Sequence, residues 1–386
     1  MDKKREILFN INNFSFAFSK ALDSIEMEYF FVSNGHSRRV AYVCLMLAKE
    51  FNYSKEGLSD ICAYSLLHNI ALKKTKSKNK QYCDFSQTYM QSFPFLLKDQ
   101  GEVLKYQCEH FDGTGIFGLK ESEIPLFSQF ISFVDIIDTK FDLSKGDVQN
   151  REKILNFIKE GENRLFSSDV VECFVEFSQK ESFWLDLQNE DEIAAYIFKS
   201  LSDVSIALEY EKLLEITSIF YNLVDEDGKL IENCSKLADL YNFDHKDKQT
   251  FLIAASLTNL GKFFISDSIL NKNSSLDTHE YLKIKSYPYY TKKVLSDVLG
   301  FNDVTTWATR VQEFINGKGY PYALEGKDLS LKDRVMLISN IFTSLTSKKS
   351  YRDAYKKDEA FKILDDMAEN SCIDKAIVED IKEVFK

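Results

Sequence analysis

Ala63-Tyr64-Ser65-Leu66-Leu67-His68-Asn69-Ile70 is an apolar helical run that ends in an imidazole followed at once by a short oxygen-bearing side chain. A helix ending this way can offer a metal one nitrogen and one oxygen ligand. The oxygen here belongs to an amide. Being neutral, it holds a divalent cation less tightly than a carboxylate and cannot share negative charge between two ions. Upstream, Leu58, Ile61, Cys62 and Ser65 lead to His68 at helical spacing, so the histidine points inward. On the preceding helix, which His36 opens after the turn Asn34-Gly35, the residues Val40, Val43, Cys44, Leu47 and Phe51 recur with the same period. That places His36 one turn before Val40 on the buried face.

Around these two helices the pattern predicts an amphipathic helix over 6–23 and a lysine-rich surface loop over 71–84. Helices are expected near 86–98 and 101–110, then a turn at Phe111-Asp112-Gly113-Thr114-Gly115. Ile124-Pro125-Leu126 starts a further helix, on which Ile131, Val134, Asp135 and Asp138 share one face. A carboxylate at Asp135 on that apolar stripe needs a cation, a metal or a hydrogen-bond donor to offset its desolvation. Two more helices are expected over 150–180 and a helical connector over 181–209.

The second half repeats the first. Leu237-Ala238-Asp239-Leu240-Tyr241-Asn242-Phe243 echoes Leu47-Ala48-Lys49-Glu50-Phe51-Asn52-Tyr53, and Ala255-Ser256-Leu257-Thr258-Asn259-Leu260 echoes the run from Ser65 to Ile70. Asn316-Gly317-Lys318-Gly319-Tyr320-Pro321 stands where Asp112-Gly113-Thr114-Gly115-Ile116-Phe117 stood, and Asn340 stands where Asp135 stood. A period of this size reads as two tandem helical domains, 1–180 and 210–386, joined by the connector 181–209.

Composition agrees. A chain of 386 residues is too long for one ordinary core; with 44% hydrophobic residues, 4 Pro and 14 Gly it has few helix breakers, which predicts an all-α protein. The net charge of -11 gives no electrostatic footprint for nucleic acid and disfavours an anionic membrane surface. Seven scattered cysteines without a C-x-x-C pair read as reduced thiols of a cytoplasmic protein. The start Met-Asp-Lys-Lys-Arg and the polar residues after it predict neither a signal peptide nor a membrane span.

In the second half, Asn259-Leu260-Gly261-Lys262 is followed by Ile265 to Lys272, Gly319-Tyr320-Pro321, Leu324-Glu325-Gly326-Lys327, Arg334-Val335 and Tyr351-Arg352. In this order these residues resemble the HD-GYP family, a branch of the HD-domain metal-dependent phosphohydrolases. The resemblance implies all-α domains whose active members hydrolyse cyclic di-GMP or related cyclic dinucleotides at a site of two or three metals. Such hydrolysis uses a metal-bound hydroxide, and clustered metals neutralise the phosphoryl oxygens.

Carried onto the first domain, His36 matches the family's isolated histidine, His68 the histidine of its His-Asp pair and Asp135 its late aspartate. The pair's aspartate is Asn69, the mid-domain histidine is Phe93, the double histidine is Gln107-Cys108, and Gly-Tyr-Pro has become Gly115-Ile116-Phe117. In the second domain the pair is Thr258-Asn259, the mid-domain histidine is Tyr287, the double histidine is Val311-Gln312 and the late aspartate is Asn340. The isolated histidine falls at Glu226 or Asn233. The resemblance therefore allows one divalent transition metal, iron or manganese, held by His36, His68, Asn69 and Asp135 in the first domain, and none in the second. A buried hydrogen-bonded cluster without metal is the alternative for the same residues.

His110 lies two positions past the lost double histidine, and His245 and His279 sit among charges; all three are expected outside the site. The run Lys73 to Lys80 is expected as a solvated loop, with a phosphate contact as its alternative. Gly319, Tyr320 and Pro321 form either a structural turn or a docking surface of the kind the family uses against diguanylate cyclase domains. The expected function is a catalytically degenerate regulatory, sensing or scaffold module of bacterial cyclic-dinucleotide signalling. Its ligand would be a cyclic dinucleotide, and its partner a diguanylate cyclase, another signalling protein or a second copy of the chain. A mononuclear phosphohydrolase using the first domain is the alternative, and a purely structural oligomerisation protein is a third class.

Overall fold

The computed structural model describes residues 5–97, 100–201, 205–224, 229–350 and 352–386. The chain divides into two compact units, an N-terminal one of Asn10–Ser205 and a C-terminal one in which Ile206–Lys386 is joined by the first strand. Both are built from helices, so the fold is all-α, with one short two-stranded ladder among the described residues.

The N-terminal unit opens with α1 (Ile11–Phe30), α2 (His36–Glu50), α3 (Lys55–Leu67), the single-turn α4 (Leu72–Thr75) and α5 (Lys80–Met90). After a stretch of turns come α6 (Leu126–Phe141), α7 (Val148–Glu160), α8 (Ser168–Ser178), α9 (Glu181–Leu187) and α10 (Glu190–Ser200). The Asn10 and Ser54 side chains accept from the backbone N–H groups of Asn13 and Gly57 and so start α1 and α3; each such cap is worth about 1 kcal/mol. The helices meet over Phe14, Phe18, Leu22 and Ile25 of α1, Val40, Val43 and Leu47 of α2, Ile61 and Leu66 of α3, and Phe130, Ile131 and Val134 of α6, all without exposed surface. Burying side chains of this size stabilises by roughly 1.5–3 kcal/mol each. That rigid junction is what lets the same helices carry buried charges.

Four expectations change. The predicted helix over 6–23 is two elements: β1 (Glu6–Phe9) is extended, and the helix begins only after the Asn10 cap. A short apolar run such as Ile7-Leu8-Phe9 fits either period, and pairing with a distant strand decides it. The helix expected near 86–98 spans Lys80–Met90 instead, because Asn79 accepts from the Tyr82 N–H and fixes the start. No helix forms over 101–110; Glu109 uses its carboxylate to bind the backbone N–H groups of Phe117 and Leu119 at 2.5 and 2.8 Å, which organises turns in its place. The connector expected over 181–209 is not one: α9 and α10 bury Phe183, Trp184, Leu187, Ile193 and Ile197 inside the N-terminal unit, where Tyr196 of α10 packs on Tyr42 of α2.

The C-terminal unit starts with β2 (Ile206–Glu209), antiparallel to β1, with Glu6 opposite Glu209 and Phe9 opposite Ile206. Then follow α11 (Tyr210–Asn222), α12 (Lys229–Leu240), α13 (His245–Leu257), α14 (Asp267–Leu270), α15 (Thr278–Lys285) and α16 (Tyr287–Leu295). The unit ends with α17 (Asn302–Thr309), α18 (Leu331–Thr346), α19 (Lys357–Glu369) and α20 (Lys375–Phe385). Glu226 and Tyr351 lie outside the described residues.

Local geometry recurs between the units. Asn52 and Asn242 both have left-handed backbone, and the N–H of the next residue, Tyr53 or Phe243, returns at 3.0 Å to Ala48 or Ala238. Glu313 binds the N–H groups of Tyr322 and Leu324 at 2.7 and 2.9 Å, as Glu109 binds Phe117 and Leu119. Among the described residues no helix is long and apolar enough to cross a membrane.

Candidate metal centre

His36 opens α2 because Gly35 before it takes left-handed backbone and because Asp23 of α1 accepts the Ser37 N–H at 3.0 Å. The imidazole is fully buried. Its Nδ1 donates to Asp138 at 2.6 Å, which turns Nε2 toward Glu26 at 3.4 Å, Asp135 at 3.3 Å and the Nε2 of His68 at 3.4 Å. His68 caps α3, and its Nδ1 donates to the Ser65 carbonyl at 2.6 Å, leaving Nε2 to face His36. Each ring is thus oriented by an acceptor on its far nitrogen, the usual support for a metal-binding histidine.

The structure brings His36, His68 and Asp135 together as the sequence implies. Glu26, buried on α1, adds a second carboxylate, and the ligand atoms of Glu26, His36, His68 and Asp135 all lie within 4.8 Å of one another. Asn69 also borders the group: its amide donates to His68 Nε2 at 2.7 Å, and its oxygen accepts the Tyr82 hydroxyl at 2.7 Å. Burial pushes the Tyr82 phenol well up, so it stays a donor. Gln107 donates to the His68 carbonyl at 3.3 Å, and Phe93 is core. His110 bonds Thr114 in the turn, and His245 and His279 are exposed.

Two imidazole nitrogens with two carboxylates suit a borderline divalent ion such as iron, manganese or zinc. One oxygen of Glu26 is buried without a hydrogen-bond partner, a polar atom that a cation would satisfy. By residue type and spacing, then, the group fits a metal. A cation already faces it, however: Lys78 Nζ lies 2.7 and 2.8 Å from the two oxygens of Asp135 and 3.3 Å from Glu26. The solvated loop expected over 71–84 is therefore corrected: Lys73 is buried and Lys78 turns inward.

Charge at the centre is arranged in pairs. Burial alone would lower the His36 pKa, but the Glu26, Asp135 and Asp138 carboxylates push it up to about 10. Burial opposes ionisation of Asp135, yet Lys78 and the two histidines hold its carboxyl well below the usual range. Asp138 is likewise held low against burial by Arg39, whose Nε and terminal nitrogen donate to it at 2.9 and 2.8 Å, and by His36. His36, Lys78 and Arg39 thus face the carboxyl groups of Glu26, Asp135 and Asp138 within the chain.

In the C-terminal unit the corresponding side chains make a different arrangement. Gln312 donates to the Tyr287 hydroxyl at 3.0 Å, Thr258 bonds the Ala255 carbonyl at 3.1 Å, and Asn233 donates to Thr343 at 2.8 Å. Val311 is core and Asn340 is half-buried. Gly261 is required by a close approach, since a Cβ there would collide with the Tyr287 carbonyl. A Cβ at Gly319 would likewise meet backbone, 2.5 Å from the Glu313 Cα, so the Gly319-Tyr320-Pro321 segment is seated closely on its own unit, followed by the exposed Tyr322.

Glu26, Lys78, Asp138, Arg39 and Tyr82 were not among the residues expected at the site. Asp138 was on the right face of α6. Glu26 carried a weak signal, an acidic residue next to Ile25 on the apolar side of α1; Lys78 carried none beyond its charge.

Residues 201–377 match the family model described as HD domain. The chain is similar to the 3'3'-cGAMP-specific phosphodiesterase 1 of Vibrio cholerae serotype O1, with 22% identity over 381 residues, 92% of this chain and 87% of that protein. It is also similar to the cyclic di-GMP phosphodiesterase response regulator of Xanthomonas campestris pv. campestris, 28% identical over 168 residues, 43% of this chain and 42% of that one. A solved structure of a cyclic GMP-AMP specific phosphodiesterase of V. cholerae superposes with a TM-score of 0.68 at 18% identity, covering 98% of both chains, and shows the same fold.

Proposed function

Because the chain belongs to the HD-GYP family of HD-domain proteins, we propose that it works in cyclic-dinucleotide signalling as a binding or regulatory module that does not hydrolyse its ligand. The observation that carries this is the Tyr287–Gln312 hydrogen bond in the C-terminal unit, the unit that the HD model matches. Where the family pattern has histidines for a metal, two neutral side chains satisfy each other, and Thr258, Asn259, Val311 and Asn340 add no carboxylate or imidazole. Phosphodiester hydrolysis by the family's route needs a metal-bound hydroxide, and these residues cannot hold the metal that makes one. The recurrence of the Asn52 and Asn242 turns and of the Glu109 and Glu313 bonds supports two copies of one domain in tandem.

The test is direct. Purified full-length protein, supplied with manganese or iron(II), should bind 3'3'-cGAMP or cyclic di-GMP by calorimetry and release no linear dinucleotide. Metal-dependent turnover that disappears in His68→Ala would overturn the proposal.

One observation favours a second reading, a mononuclear phosphohydrolase in the N-terminal unit: the four ligand atoms of Glu26, His36, His68 and Asp135 converge. Iron or manganese held there would supply a hydroxide. In that case Asp138 and Ser65 would hold the two rings in place, and protein prepared without chelator would carry about one metal per chain, lost in Asp135→Asn. A reducing, cytoplasmic setting is supported by seven free cysteines.

A further inference from the structure

Lys78 differs from the residues on either side of it. Lys76, Ser77, Asn79 and Lys80 are exposed, while the Lys78 side chain is 17% exposed and directed into the N-terminal unit. Lys74 and Lys80 lie over the rings of Phe85 and Phe117, near the surface. The segment that delivers Lys78 is short: α4 ends at Thr75, Lys76 takes left-handed backbone with φ of 58°, and Asn79 caps α5. Left-handed backbone costs an L residue about 1–2 kcal/mol and ends the single-turn helix sharply. The turn therefore aims one ammonium at one place.

That place is the metal-type cluster. Lys78 Nζ touches both oxygens of Asp135 and one of Glu26, and those two carboxylates are the oxygen donors of the cluster. An ammonium with three donors can satisfy carboxylate charge, but it has no empty orbital and cannot be ligated by the imidazole nitrogens. It also repels a divalent ion placed among the same oxygens. Lys78 Nζ also lies 5.3 Å from the centroid of the Phe30 ring, whose face attracts the ammonium.

We propose that Lys78 is a tethered cation that takes the charge-neutralising place of a metal ion in the N-terminal unit, and that a divalent ion enters only when the 76–79 turn withdraws the lysine. This goes beyond the dinucleotide reading and does not depend on it. The same residues are thereby given two exclusive states, one closed by the chain's own ammonium and one open to metal.

The experiment uses full-length protein with manganese(II) as the probe. Wild type prepared without chelator should carry well under about 0.1 metal per chain, and Lys78→Met should bind manganese at least about tenfold more tightly, to roughly one per chain. That gain should vanish in Lys78→Met/Asp135→Asn. Circular dichroism checks that each variant is folded. Tight metal in wild type, or a folded Lys78→Met with unchanged manganese affinity, overturns the proposal. A measurement on wild type covers the case in which Lys78→Met does not fold: amine acylation read by mass spectrometry. Without metal, Lys78 should react several-fold more slowly than Lys76 and Lys80, and millimolar manganese should speed it. Equal reactivity of the three lysines, or no response to manganese, overturns it as well.

Discussion

His36 Nδ1 and Asp138 share a hydrogen bond of 2.6 Å with no exposed surface on either side chain, and Arg39 closes the far side of the carboxylate. Removing Asp138 leaves a buried guanidinium and an imidazole without their acceptor, so Asp138→Ala should cost about 3–5 kcal/mol, read by urea denaturation. Because the folded carboxyl titrates below its unfolded value, its stabilisation is complete above roughly pH 4 and is lost as the pH falls further. Asp138→Asn should therefore flatten the acid limb of the stability curve. An unchanged limb would remove Asp138 from the account.

Glu109 and Glu313 each hold two backbone N–H groups of a turn in their own unit. Replacing either by Ala should cost about 2–4 kcal/mol, since bonds to a charged acceptor are worth roughly 1.5–3 kcal/mol each and part is recovered by water. Amide exchange at Phe117 and Leu119, or at Tyr322 and Leu324, should accelerate only in the unit that carries the change.

Gly261→Ala is expected to destabilise the C-terminal unit by about 3 kcal/mol, because the added Cβ meets backbone and not a side chain that can swing away. A thermal melt within about 1 °C of wild type would show that α16 shifts freely, contrary to the contact with Tyr287.

Asn69→Asp adds a carboxylate beside His68. With Lys78 in place the new charge should leave manganese binding weak, whereas in Lys78→Met it should tighten binding by about tenfold through the added ligand charge. Calorimetry on the four proteins distinguishes this from simple additivity.

Most of the helical frame was legible because periodicity and helix-start residues are local: α2 and α6 begin where Gly35 and Pro125 place them. The convergence of His36, His68 and Asp135 was legible for the same reason, each being fixed to the inward face of its own helix. What escaped was long-range. Glu26 joins the group through the crossing of α1 over the others, and burial of Lys78 is stable only because carboxylates distant in sequence wait for it. A lysine among lysines gives no sign of that from its neighbours alone. The strand β1 was missed likewise, since its partner is about two hundred residues away.

That last pairing has a topological consequence. Phe9 lies opposite Ile206, so the chain leaves the C-terminal unit and re-enters it across one rung of a ladder, about 5 Å apart. The N-terminal unit is thus an insertion into a β-hairpin of the C-terminal one. Excising Asn10–Ser205 and closing the hairpin with a two-residue Asn-Gly turn should leave a continuous, foldable C-terminal unit, whereas cutting the chain after Phe9 would strip that unit of a strand.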